Sequence, residues 1–401
     1  MTTGSTGLLR LLVLGVAGLL VVGSAWAVRA ADRPVEEPRR TTLDAGWRAR
    51  AGGPQVLGGE LRPGVPGVQR LEHDGAEFTV SVGPQQPGRN VVRVDVAGPH
   101  HGARAPRVRV GTDEEHLVVA RPVPGVDGLW AEVDLPAGEG TVLVTHGPAH
   151  RIPFPVVTGT ARSASDAWEG PDAPECLAAA VGRRLGGSVA TAAACPADTL
   201  TEAHADALRA TVGTIADRGA TQLAVGSDGS ARSRGARDVV RAMAAERGLE
   251  VVDPRERPAP RGALLELSGW RHAARDLAAV SRRPLREQPI RSHGTWLAPW
   301  LLSPGVVDST SGAVLPLDFD VRGTAPLQYA GLLGRFLPQQ APTASGYRAW
   351  LEETGAAPDE LRLYAASRTA YMPATAGHTS HETRVPWFPG GTITPVGLPI
   401  S

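Results

Sequence analysis

The chain contains no lysine: all 41 of its basic residues are arginines, and 41 acidic residues balance them. That balance leaves no net field to draw the chain as a whole toward nucleic acid or acidic lipid. The missing lysine reads as codon composition, since nothing in folding physics forbids lysine on a surface. Catalytic signatures are missing too. There is no GxSxG elbow, HExxH, Walker A loop or strand-following GxGxxG, and no nucleophile pairs with a base. The expectation is a protein that is not an enzyme and takes no cofactor. Only two cysteines occur, Cys176 and Cys195. Lacking CxxC spacing or an adjoining histidine, they read as a disulfide of an oxidising compartment, closing a loop worth about 3 kcal/mol.

What is present is a chain of 401 residues, 42% hydrophobic and 20% charged, enough for two to three structural units. Arg10 precedes an uncharged run, Leu11 to Val28, long enough to cross about 27 Å as a helix. Residues 1–29 therefore address the chain to a membrane. Trp26 beside Arg29 suits an uncleaved single-pass anchor, and Ala25-Trp26-Ala27 suits a cleaved signal. Either way the bulk of the chain belongs outside the cytoplasm. Residues 30–66, rich in Pro, Arg and Gly, suit a flexible stalk.

From residue 67 the apolar period is two: Phe78, Val80, Val82; Val92, Val94, Val96; Val108, Val110; Leu117, Val119; Leu129, Ala131, Val133, Leu135; Val142, Val144; then Pro155 to Thr158. Turn residues separate these runs, which predicts an antiparallel β-sandwich of about seven strands over 67–158. "VSVGPQQPGRNVVRVDV" and "GLWAEVDLPAGEGTVLV" give it a resemblance to the immunoglobulin-like extracytoplasmic domains of copper-resistance and YtkA-like proteins. That family uses a few histidine and acidic ligands. Here His73, His100, His101, His116, His146 and His150 follow no ligand spacing and read as loop histidines.

Residues 159–174, small, polar and proline-bounded, predict an interdomain linker. Beyond it strands alternate with helices. Thr199 and Glu202 form a capping box before a helix facing Leu208, Val212 and Ile215 inward, with Gly219 to close it. "TQLAVGSD", "LEVVD", "GALLELSGW", "RSHGTW" and "GAVLPL" read as strands or strand ends. Helices carry Val240 and Met243, Leu277, and then Tyr329, Leu332, Leu333 and Phe336. This pattern predicts a three-layer α/β domain with a mostly parallel sheet over 175–371, followed by a flexible tail over 372–401.

The stretches "ADRGATQLAVGSDGSARSRGARDVVRAMAAERGLEVVD", "ALLELSGWRHAARDLAAV" and "SGAVLPLDFDVRGTAPLQYAGLLGRFLPQQAPTASGYRAWL" resemble, in element order, type I periplasmic binding proteins of the branched-chain amino-acid-binding kind. The resemblance implies a ligand-binding fold, reduced here because too few residues remain for a complete first lobe. Open α/β sheets bind ligands at the carboxyl ends of their strands. On this reading the candidate ligand-binding residues are Ser227, Asp228, Ser268, Trp270, Thr295, Trp296 and Asp318, with the two tryptophans as pocket walls or as core. Asp318 and Asp320 read as loop residues after their strand, because Pro316 weakens regular pairing. In the tail, His378 and His381 are a candidate metal pair, with Met372 and Glu382 nearby. The expected function is a membrane-anchored extracytoplasmic binding or sensing protein for a small molecule or an envelope protein partner. The alternatives are a copper-handling accessory protein and an interaction platform without a ligand; nucleic acid is not an expected partner.

Overall fold

The computed structural model describes residues 53–98, 107–147, 150–368 and 386–400. The N-terminal apolar run and the His378/His381 pair lie outside these residues. Among the described residues no helix is long and apolar enough to cross a membrane.

Alternating valines build the sandwich as expected, with more strands than the alternation suggests. One antiparallel sheet runs β1 (Gln55–Leu57), β2 (Gly67–His73), β3 (Ala76–Gly83), β4 (Gly88–Ala97), β8 (Leu129–Leu135) and β7 (Arg121–Pro122). The other runs β10 (His150–Val157), β9 (Glu139–His146), β5 (Val108–Gly111) and β6 (Val118–Val119). Phe78, Val80, Val82, Val92, Val94, Val110, Val142 and Val144 meet between the sheets and are almost fully buried, as period two demands. Val118 and Val119 instead stay exposed on an edge strand.

Two segments expected to be loose are packed. In the stalk, Gln55–Leu57 pairs with β2, and Leu57 is fully buried. In the linker, a 3-10 turn at Asp166–Glu169 buries Trp168, while Gln86 Oε1 accepts the backbone N–H groups of Ser163 and Ala164 at 2.7 and 2.9 Å. Apolar surface and backbone bonding, neither obvious in a polar string, bind these residues to the sandwich.

The second half is a seven-stranded sheet in the order β12 (Glu250–Val252), β11 (Gln222–Gly226), β13 (Gly262–Glu266), β14 (Thr295–Leu297), β15 (Gly312–Leu317), β16 (Arg362–Arg368), β17 (Gly391–Pro395). Pairings among the first five are parallel, and the last two are antiparallel. The helices are α1 (Ala173–Leu185), α2 (Glu202–Asp217), α3 (Ala231–Glu246), α4 (Trp270–Ser281), the short α5 (Pro304–Val307), α6 (Thr324–Phe336) and α7 (Ala344–Thr354). Thr201, not Thr199, caps α2, its side chain accepting the His204 N–H. Gly219 and Gly248 follow their helices at φ 88° and 68°, the left-handed conformation glycine adopts without strain. Part of the expected tail is core: β17 closes the sheet, and Trp387 and Phe388 ahead of it are buried.

Sandwich and sheet belong to one compact unit. Ser303 Oγ donates to the Gly125 carbonyl at 2.7 Å. Arg93, paired with buried Asp95 at 3.0 Å, reaches Gln340. The expected disulfide joins Cys176 in α1 to Cys195.

Candidate functional site

In a sheet of this order the chain leaves β11 toward β12 on one side and then crosses to β13 on the other. Between the carboxyl ends of β11 and β13 the connections diverge, which is where open α/β sheets leave room for ligands. Asp228 follows β11 here, and Ser268 and Gly269 follow β13.

Asp228 is held by the helix that starts on each side of it. Its Oδ2 accepts the Gly269 N–H at 2.7 Å, at the N-terminus of α4. Its Oδ1 accepts the Ser230 N–H at 2.9 Å, at the N-terminus of α3. Burial alone would raise this carboxyl; the Gly269 N–H, then the side chain and N–H of Ser230, then the charge of His272 overcome it and hold Asp228 below the ordinary range. The carboxylate thus fills the anion position that two helix N-termini create.

Around it lies an excess of acid. Glu266, in the apolar run of β13, is buried and accepts from Ser268 Oγ at 2.6 Å and Ser268 N at 3.1 Å; desolvation raises its carboxyl. Glu175, on α1, forms a bidentate pair with Arg232 of α3 at 2.7 and 2.6 Å and accepts from Ser345 Oγ at 2.5 Å. The Arg232 guanidinium lies 4.5 Å from the Trp300 ring centroid. Asp172, at the start of α1, has no side-chain capping bond. Burial first, then the charges of Glu175, Asp228 and Asp198, push its carboxyl up to about 7 against the pull of Arg232.

Two glycines are required by this crowding. A β-carbon at Gly269 would lie 2.0 Å from Asp172 Oδ1, and one at Gly226 would lie 2.1 Å from Glu266 Oε2; both carboxylates therefore rest against bare backbone. His272, on the first turn of α4, sits with Nδ1 3.9 Å from Asp228 Oδ2, and that nitrogen is buried without a hydrogen-bond partner. Ser227 and Gly229 are exposed beside Asp228 and form the mouth.

The expected site residues divide. Asp228, Ser268 and Trp270 gather at the switch point, with Ser227 on its rim. Trp270 is a core residue, 3% exposed, its indole N–H donated to the Trp300 carbonyl at 2.7 Å. Thr295 and Trp296 lie inside the sheet, paired with Leu264 and Leu265 of β13, and not beyond the strand tips. β14 begins at Thr295, so "RSHGTW" is the entry to the strand and not its exit; Trp296 is 1% exposed and donates to the His293 carbonyl. Asp318 does follow β15, but two strand spacings, about 10 Å, separate that strand from β13, and its Oδ1 pairs with Arg348 at 2.7 Å. Pro316 keeps its register opposite Leu363, and Asp318 and Asp320 are loop residues beyond the last pairing. Asp172, Glu175, Arg232, Glu266 and His272 were not among the expected residues; a glutamate inside "GALLEL" is the one clear sequence signal among them.

Ser268, Gly269 and Trp270 are buried, so the switch point is closed above its strand tips. A partly open space of about 20 Å³, room for about one water, lies between Trp130 of the sandwich and Trp270 of α4. No group of three or more His, Cys, Asp or Glu able to hold a metal exists among the described residues.

No family model matches the chain, and no curated protein matches it. Among solved structures, a branched-chain amino-acid ABC transporter periplasmic ligand-binding protein from Burkholderia xenovorans is similar at TM-score 0.32 and 10% identity, over 48% of this chain and 62% of that one. An ABC transporter substrate-binding protein from Desulfitobacterium hafniense, in complex with Leu, is similar at TM-score 0.21 and 13% identity, over 37% and 47%. The chain spans less than two thirds of the length of either.

Proposed function

We propose that this chain is a non-catalytic binding protein of the cell envelope, held at the membrane by its apolar N-terminal run, and that its α/β body takes up an ammonium or guanidinium group at the mouth over Asp172. One observation carries this reading: at the switch point the Asp172 carboxyl, packed against the bare backbone of Gly269, makes no side-chain capping bond and is pushed up to about 7 by burial and its acidic neighbours. A carboxyl pushed this far from its ordinary range in a strand-end crevice marks a candidate binding site. Asp228 and Glu175 already have their cations or donors. Asp172 is left to accept a donor from outside.

The crevice is closed above Ser268 and Trp270, which favours a second source of the same chemistry, an arginine or lysine side chain of a partner protein. Titration calorimetry of the full chain in detergent separates the two. Free arginine and putrescine are the solute probes, and short arginine-bearing peptides represent the partner. Binding of either kind that is at least about tenfold weaker in Asp172→Asn supports the site, and acetate serves as the anionic control. Equal binding by wild type and variant, or no heat with any cationic probe, sinks it.

A further inference from the structure

A different surface, at the amino end of the same sheet, carries an independent signal. The segment after α4 holds the exposed side chains Leu285 and Ile290, 85% and 84% accessible. Among large apolar side chains at a surface these are extreme, and they stand in arginine-rich sequence, "SRRPLREQPIRS". The neighbouring loop before β13, "DPRERPAPR", is joined to it: Arg291 Nη2 donates to the Pro254 carbonyl at 2.8 Å and Ser292 Oγ to the Pro260 carbonyl at 2.6 Å. Together the two loops hold Arg255, Arg257, Arg261, Arg282, Arg283, Arg286 and Arg291 against Asp253, Glu256 and Glu287. The whole chain is neutral, so this is a local excess. Within it, Arg286 pairs with Glu287 at 3.5 Å with both side chains open to solvent, an arrangement that contributes little.

We infer that this face docks on an anionic phospholipid surface, with Leu285 and Ile290 entering the interface and the arginines facing the headgroups. Exposed apolar side chains inside a cationic patch match a bilayer interface, where apolar burial and attraction to anionic lipid add together. Chain length permits it. The 24 residues between the apolar run and the first described residue span at most about 85 Å, which keeps the body close to any membrane that holds the run. The inference shares with the proposed function its envelope location but not its ligand site. Because the arginine face and the Asp172 mouth are at opposite ends of the parallel strands, docking would turn the mouth away from the lipid.

The test uses the full chain with the environment-sensitive fluorophore NBD on Leu285→Cys or Ile290→Cys, and on Val189→Cys as an exposed control. The protein is reconstituted into vesicles of equimolar phosphatidylglycerol and phosphatidylcholine, or of phosphatidylcholine alone. Flotation reports whether the N-terminal run holds the chain to the vesicle, separately from the dye. In floated protein we expect a blue shift and quenching by brominated lipid at 285 and 290 with phosphatidylglycerol only. Both should be lost in high salt, and Arg282→Glu/Arg283→Glu/Arg286→Glu should lower the docked-to-free ratio by about a hundredfold, at about fivefold per arginine. No shift at either position in floated protein, the same shift in phosphatidylcholine alone, or an equal shift at 189 overturns the inference.

Discussion

Replacing Asp172 by Asn tests the central feature of the switch point, because it keeps the shape of the side chain and removes its charge. The folded carboxyl stands at about 7 against an ordinary 3.8, a difference of about three units, or about 4 kcal/mol. Since the folded value is the raised one, the folded protein holds this proton more tightly than the unfolded chain. Its stability contribution is complete below about pH 3.8 and is lost as the pH rises to about 7. Relative to Asp172→Asn, the native protein should therefore lose roughly 1.5–2 kcal/mol by pH 5 and about 4 kcal/mol by pH 8. Urea unfolding of both proteins at pH 5 and pH 8 measures this directly. The two stabilities should draw apart by roughly 2–3 kcal/mol between those conditions, with the variant gaining at the higher pH. Parallel profiles, differing by a constant at both pH values, would show that Asp172 titrates like an ordinary surface carboxylate and refute the buried-acid account.

Further outcomes follow from the same geometry. A cationic probe bound at Asp172 favours the ionised carboxyl, so its affinity should rise with pH through about 7, by up to about tenfold per unit below that value; calorimetry at pH 6 and pH 8 reads it, and a flat profile contradicts the assigned ligand chemistry. Arg232→Met strands Glu175 in the core and should cost about 3–5 kcal/mol, whereas Glu175→Met combined with Arg232→Met should recover most of that loss, as a double-mutant cycle by urea denaturation will show. Gly269→Ala drives a methyl group into the Asp172 carboxyl and should cost roughly 1–3 kcal/mol; adding Asp172→Ala should relieve it, and no relief would place the strain elsewhere. Replacing Cys176 and Cys195 by Ala should lower stability by about 3 kcal/mol and loosen the segment whose Pro196 carbonyl accepts from Arg232 at 3.3 Å, measurable as faster amide exchange there.

Where the fold was legible, a long periodic signal stood behind it. Phe78, Val80 and Val82 alternate because one face of β3 meets the other sheet, and Tyr329, Leu333 and Phe336 recur at helical spacing because α6 buries one stripe. Short elements had no such signal. β1 has three residues, and β17 buries only Ile393 of its five, so tertiary packing places both; the adjacent "WF" was the hint for the second. In "HGTWLAPWLL" the apolar run does not reveal where the strand starts, and that ambiguity placed Trp296 beyond a strand tip when it lies inside the strand. Thr199 satisfied the T-x-x-E pattern two residues before the true cap, because two threonines flank one leucine. The site was half visible. Asp228 and Ser268 follow readable strands, but Asp172 is the N-cap of α1, a helix whose position depends on packing against α7. Overall charge balance likewise concealed a local surface, since the arginines of 255–291 are offset by acids elsewhere in the chain.

Arg368 at the end of β16 pairs with Gly391 at the start of β17, so the sheet holds the chain on both sides of 369–385. Cutting the backbone anywhere in 369–385 should not release the last stretch. Five strand pairings with β16 and the buried rings of Trp387 and Phe388 would retain it as a separate peptide. The protein should thus survive as two noncovalently joined pieces.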